Sequence, residues 1–240
     1  NEKIFQFFSD FTTAAQMTME TAGSLRGGKS IWALAKLADT FELPGEDQIG
    51  GYLLLHQPHE AGHALTARYT QIRVVCNNTL QLAFSNGKAQ FSMSHIREFN
   101  ADMAQQAAET LGLANDTSKL FKESAEFLAK KKAKHSNVLE FIGRIYQPDV
   151  IAQRIKNDEL RAEGRKVGEE GPLIDEFNRT TRNVVDALER APGALLKSSA
   201  GTWWGALNAV TYVEDHMRGG ENKVYNSLIG DGSKRTAKAY

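Results

Sequence analysis

Residues 50–75 read GGYLLLHQPHEAGHALTARYTQIRVV, and the way this stretch divides decides the fold. Two runs rich in leucine, aromatic and β-branched residues, Gly50 to Gln57 and Ala64 to Val75, flank a short polar segment that holds Pro58 and Gly62. Runs of this length with breakers between them read as strands, and so short a connection returns the chain antiparallel to itself. Upstream, Lys29 to Leu37 is Ala/Leu-rich and fits helix or strand by composition, but Gly27-Gly28 before it and Pro44-Gly45 after it favour a strand. Downstream, Phe84-Ser85-Asn86-Gly87 is a turn and Gln90 to Met93 a further short strand. The segment Glu2 to Gln16 has a different period: Ile4, Phe5, Phe8, Phe11 and Ala15 recur at helical spacing, the stripe of an amphipathic helix.

From Ile96 onward the pattern is helical. Met103, Ala107, Thr110 and Leu111 form one stripe, Asn115-Asp116 is expected to break it, and Leu120, Ala125, Phe127 and Leu128 begin another. Asn137 reads as the N-cap of a helix that Pro148 ends, and Asp149 to Arg165 as a charged helix. Val167 to Pro172 is the best linker candidate, and two more helices, Leu173 to Glu189 and Thr202 to Met217, follow around Ala191-Pro192-Gly193. The expected class is α+β: an antiparallel meander of three to four strands packed by helices, then a mainly helical C-terminal half. Residues 1–134 are read as the sheet-containing core and residues 135–240 as a helical region packed on it, together one large domain.

The chain has 240 residues, 29 Lys+Arg against 29 Asp+Glu, and 41% hydrophobic residues, an ordinary globular mix that excludes a disordered tail, a fibre and a histone-like polycation. Residues 1–95 hold seven basic and eight acidic groups, so any nucleic-acid surface there must be local. No apolar run approaches the roughly 18 residues of a membrane span. The lone Cys76 cannot form an internal disulfide, which favours a reducing cytoplasm. The start at Asn1 and the end in mid-pattern at Tyr240 read as a piece of a longer protein.

Two stretches match chemical motifs. Gly23-Ser24-Leu25-Arg26-Gly27-Gly28-Lys29-Ser30 fits the phosphate loop, whose glycines let backbone N–H groups wrap phosphates while Lys29 and Ser30 would meet the terminal phosphates and Mg²⁺. That loop needs a buried strand before it and a helix after it; the alternative is a glycine-rich turn into a strand, with a solvated Lys. His59-Glu60-Ala61-Gly62-His63 fits H-E-x-x-H, in which one helical turn sets two imidazoles on zinc and the Glu beside its water, with His56 as a possible third nitrogen. The wording HEAGHA is similar to the zinc motif of membrane-anchored AAA proteases, but Pro58 and the flanking strands point instead to a hairpin turn. Cys76 reads as a small buried thiol beside Asn77 and Asn78, which are placed to cap a helix started by Thr79 to Phe84. The Lys130-to-Lys134 run reads as a solvated helix end. Asn208, Thr211 and Asp215 share one helical face and read as a buried polar seam.

Arg73-Val74-Val75-Cys76-Asn77-Asn78-Thr79-Leu80 carries a resemblance to a family of phage- and plasmid-borne proteins with a large domain of unknown function. The glycine-basic turn and aromatic strand of Gly23 to Leu37, the hairpin turn of His59 to Leu65, and the segment Thr202 to Thr211 with Asp215-His216 extend it over residues 1–230. The resemblance implies that the phosphate-loop and zinc matches are accidental. Three antiparallel strands followed by a helix is also similar to the layout of single-strand annealing proteins, a likeness of fold alone. It implies a mobile-element protein in the cytoplasm of a bacterial host, a homo-oligomer that binds single-stranded DNA in annealing or recombination without a catalytic residue, metal or cofactor. Arg26, Lys29, Arg68, Tyr69, Arg73, Asn77 and Asn78 would line the groove, with Trp32 as a further stacking face. The alternatives are a metal-dependent hydrolase using His59, Glu60 and His63, a nucleotide hydrolase using Lys29 and Ser30, and a module that docks a phage or host protein.

Overall fold

Odd-numbered residues of the central strands build the main buried apolar face of the sheet, and even-numbered neighbours such as Leu34 and Leu54 are buried on the other. The computed structural model describes residues 2–14, 16–25, 27–59, 64–73, 78–80, 90–93, 101–218 and 231–239. After helix α1 (Glu2–Ala14) come strands β1 (Thr18–Leu25), β2 (Ser30–Leu43), β3 (Asp47–Pro58), β4 (Leu65–Arg73), β5 (Asn78–Leu80) and β6 (Gln90–Met93). Consecutive strands β1 to β4 pair antiparallel, and β5 and β6 both pair with β4, β5 at Gln71–Arg73 and β6 at Leu65–Arg68. The α+β meander expected from the sequence is therefore present, with more strands than the three or four anticipated.

The register sets odd-numbered residues of β2, β3 and β4 on one face: Ala33 opposes Leu55 and Ala35 opposes Leu53, while Leu55 opposes Ala67 and Leu53 opposes Tyr69. Helix α1 lays Ile4, Phe7, Phe8 and Phe11 on this inner face. Each such side chain contributes about 1.5–3 kcal/mol by leaving water. Further along the same face, Phe41, Leu43 and Ile49 meet Phe121 and Ala125 of α2 (Ala101–Lys130) and Trp204 and Leu207 of α6 (Trp203–Tyr212). Helices α3 (His135–Tyr146), α5 (Arg179–Arg190) and α6 share a further core around Val138, Ile142, Val184, Ala206 and Val210. Between α3 and α5 lies α4 (Pro148–Ala162), and α7 (Asp231–Ala239) is the last described helix. No described helix is long and apolar enough to cross a membrane.

The sheet is joined to the helical half by a buried ion pair. Asp47 opens β3 at 0% exposure and Arg73 closes β4 at 1%. Because Ile49 opposes Arg73, Asp47 is its diagonal neighbour on the inner face. Arg73 donates from Nε to Asp47 Oδ1 (2.6 Å) and from Nη2 to Oδ2 (2.8 Å), the bidentate fork of the guanidinium. The loop between α5 and α6 and the first turn of α6 complete the set: Ser198 Oγ and Trp204 Nε1 donate to Asp47 Oδ2, while Arg73 Nη2 donates to Ser199 Oγ and the Gly193 carbonyl.

Several local expectations differ from what forms. Strand β1 was not anticipated, because none of its side chains is buried and its alternation carries no apolar face. Asn115-Asp116 does not break α2, since Asp116 is exposed and a single poor helix former costs only tenths of a kcal/mol. Leu173 to Glu189 is not one helix: a 3₁₀ turn, Leu173–Glu176, precedes α5, and Asn178 caps α5 by accepting from Thr181 N. Phe7, not Phe5, lies on the buried stripe of α1. Asn78 starts strand β5 opposite Arg73 instead of capping a helix, because its backbone is taken by the β4 ladder. The Val167–Pro172 segment is tied to α4: Asn157 meets Glu170, and Arg161 donates to the Gly168 carbonyl.

Replacing Arg73 by Ala leaves Asp47 buried without its counter-charge, and urea unfolding should show a loss of about 3–5 kcal/mol. Arg73→Lys should recover only part of it, because an ammonium cannot form the fork; full recovery would refute the bidentate role.

Candidate nucleic-acid interface

Even-numbered residues of the same strands form the sheet's outer face. Leu34, Tyr52 and Leu54 pack there, with Trp32 and Ile72 half-buried against them. Lys36 opposes Tyr52, Trp32 opposes His56, and Leu54 opposes Arg68, so aromatic and cationic side chains share this face, with Tyr52, Leu54 and His56 buried within it. Lys29, at the hairpin turn, and Lys36 are exposed; Arg68 is half-buried, and that burial holds its pKa below the ordinary guanidinium value.

The phosphate-loop match resolves into a β-hairpin. Gly23 lies in β1 opposite Trp32, and Leu25 opposes Ser30. Gly27 and Gly28 form the turn at φ +67° and +88°, the left-handed region that glycine enters without strain. A Cβ at Gly23 would stand 3.1 Å from Nε1 of Trp32, so this glycine makes room for the indole to lie across the neighbouring strand. Ser30 begins a strand with its side chain buried, and no helix follows to present N–H groups to phosphate.

His59 stands outside any helix, just past the end of β3. Its Nδ1 donates to the Gly28 carbonyl (2.7 Å), and its backbone N–H donates to the Lys29 carbonyl (2.8 Å), which pins the end of β3 to the hairpin turn. Glu60, His63, Arg26, Cys76 and Asn77 lie outside the described residues. Among the described residues, no group of three or more His, Cys, Asp or Glu side chains could hold a metal ion.

Of the seven residues expected to bind DNA, Lys29 and Arg68 belong to the hairpin turn and the outer face, and Trp32 joins them. Tyr69 and Arg73 do not, because strand parity turns them inward. Tyr69 is 4% exposed in the α1 core, where its hydroxyl accepts from Gln71 Nε2, and Arg73 is spent on Asp47. Lys36 also lies on the outer face, exposed, as do the buried Tyr52 and His56, the latter read above only as a third metal nitrogen; all three have the even parity of Trp32 and Arg68.

A second buried charge lies in the helical half. After α6 the chain takes a π-helical turn, Val213–Met217, a widening often found where a side chain must be re-aimed. It carries the buried Glu214, whose Oε1 accepts from Tyr146 Oη (2.8 Å) and Arg235 Nε (2.9 Å), with Arg218 Nη1 at 3.5 Å. Burial first, then the charge of Glu214 and the hydrogen bond to it, push the Tyr146 phenol well above the usual tyrosine range, against Arg218 and Arg235. Burial lowers the Arg235 pKa, but the hydrogen bond and charge of Glu214 more than offset it and hold it raised. The expected polar seam is present as well: Asn208 Nδ2 donates to the Trp204 carbonyl and Thr211 Oγ1 to the Asn208 carbonyl, so these groups are met within their own helix.

A family model described as a domain of unknown function (DUF932) matches residues 1–238. No curated protein and no solved structure matches the chain.

Gly23→Val should displace the Trp32 indole at a cost of about 1 kcal/mol, visible as a shifted Trp32 Nε1–H resonance; an unmoved resonance would contradict the stacking across β1. Tyr146 should stay protonated where exposed tyrosines ionise, near pH 10. Its folded pKa is raised, so its stabilising effect is complete below that pH and lost as pH rises above it. The stability gap between the wild type and Tyr146→Phe, measured by thermal unfolding, should therefore narrow above about pH 10. A gap constant with pH would rule this out.

Proposed function

The chain belongs to this family of domains of unknown function, and on that footing we propose that it binds single-stranded DNA on the outer face of its sheet. In this reading it is a phage- or plasmid-encoded protein that works in the bacterial cytoplasm as a homo-oligomer, in annealing or recombination. The observation that carries the reading is Trp32, a partly buried indole on the strand that also holds exposed Lys36, with exposed Lys29 at the hairpin turn where the strand starts. Arg68 adds a cation on the same face, two strands away.

Such a surface suits a strand whose bases are free. An indole offers a stacking face worth about 1–3 kcal/mol per base regardless of sequence, while flanking cations follow the phosphates. Duplex DNA hides its base faces and would meet only the cations. The zero net charge of the chain suits a short basic track, which implies a shallow dependence on salt. No step in this reading needs a nucleophile, a metal or a cofactor.

Anisotropy of a labelled single strand, titrated at several salt concentrations, tests the reading. Lys29→Glu with Lys36→Glu should weaken binding at least about ten-fold and reduce the salt slope by about 1–2. Trp32→Ala should weaken it about five-fold or more with the slope unchanged. Arg73 is unsuitable for this purpose, since its loss breaks the buried ion pair. No binding at low salt, or binding indifferent to both sets of changes, would sink the proposal.

A further inference from the structure

Strand β1 ends the order of strands, and no described element pairs with its outward side. None of its eight residues is buried, and among the described residues no strand covers its free edge. An exposed edge is a template for another strand, and proteins that must stay monomeric usually guard it with Lys, Pro or an inward charge. The sequence of β1, Thr18-Met19-Glu20-Thr21-Ala22-Gly23-Ser24-Leu25, has no Lys, Arg or Pro and a single acid. Its one irregularity is a shift of register between Met19 and Thr21, which leaves Thr21–Leu25 as an unbroken ladder with Gly23 at its middle.

We propose that two copies of this chain pair β1 against β1 antiparallel, about a two-fold axis near Gly23, to make one continuous sheet. Like charges do not oppose each other in that arrangement: with Gly23 facing Gly23, Ala22 faces Ser24 and Thr21 faces Leu25, and Glu20 lies beyond the ladder. Directly opposed residues of antiparallel strands share a face, so an axis perpendicular to the sheet keeps α1 of both copies on one side. Met19, 36% exposed, supplies apolar surface on the pairing strand, and Phe5, 38% exposed, on α1, which packs against β1. The two outer faces then run together, with the Trp32 side chains of both copies on the same side.

A short ladder is small beside the roughly 1,200–2,000 Å² of a stable interface, so the pairing is reversible and concentration-dependent. It rests on the edge alone and not on the nucleic-acid reading, and it is measured without nucleic acid.

Sedimentation velocity of the purified chain over a concentration series should show a monomer–dimer equilibrium, and the amides of Thr21–Leu25 should exchange more slowly as the dimer fills. Ala22→Lys with Ser24→Lys, and separately Ala22→Glu with Ser24→Glu, should each raise the dissociation constant about five-fold or more, by placing like charges across the join. Both side chains are exposed, so each variant should keep the wild-type circular dichroism spectrum. An equimolar mixture of the two variants should associate again. A wild type that stays monomeric, an association that both variants leave unchanged, unchanged exchange of Thr21–Leu25, or a weakened association that mixing does not restore would each overturn β1–β1 pairing. The last result would point to β1 meeting some other surface of the second copy.

Discussion

The Asp47–Arg73 pair lies out of reach of water, and the donors and acceptors around it have to come from the protein. A buried carboxylate and guanidinium lose several kcal/mol of hydration each, which their mutual attraction offsets only if the remaining hydrogen bonds are made. Here those bonds come from Gly193, Ser198, Ser199 and Trp204, all in or next to the loop between α5 and α6. The sheet thus dictates the path of a loop more than a hundred residues away in sequence. Two close approaches show how tightly that path is held. Gly45, at φ +92°, brings the turn between β2 and β3 against Lys197, and a Cβ at Gly205 would collide with the Ser199 carbonyl. With the loop fixed, Trp204 is delivered to Phe121 and Ile49, and the core between α2, α6 and the sheet follows.

Much of the sheet was legible because its strands are bounded by Pro and Gly and are apolar enough to be buried. The helix Glu2–Ala14 and the strand Gln90–Met93 were found by the same kind of signal. Strand β1 was not, since a strand held by its ladder alone leaves no hydrophobic pattern. Asn115-Asp116 and Leu173 to Glu189 failed in opposite directions: tertiary packing carried α2 through poor helix formers, while Asn178 found a better use as a cap. The role of Asp47 was not legible, because nothing near it in the chain announces Arg73 or the serines beyond α5.

The binding residues were less legible than the strands for one reason. A strand reverses the direction of its side chains at each step, so Arg68 and Tyr69, neighbours in sequence, serve opposite faces of the sheet. Listing basic and aromatic residues along a strand mixes the two sides. Parity relative to Trp32 separates them: Lys36, Tyr52 and Arg68 stay with it, whereas Tyr69 and Arg73 go to the core. The phosphate-loop spelling shows a similar confusion of letters with context. Its first glycine accommodates an indole and its later ones turn a hairpin, two needs that happen to produce the residues of a nucleotide motif.

Glu214 has an architectural consequence of its own. Its carboxylate accepts from Tyr146 of α3 and Arg235 of α7 and lies 3.5 Å from Arg218, so two helices are drawn to one buried charge at the end of α6. Any change that removes this carboxylate therefore acts on α3 and α7 together, although neither adjoins it in sequence.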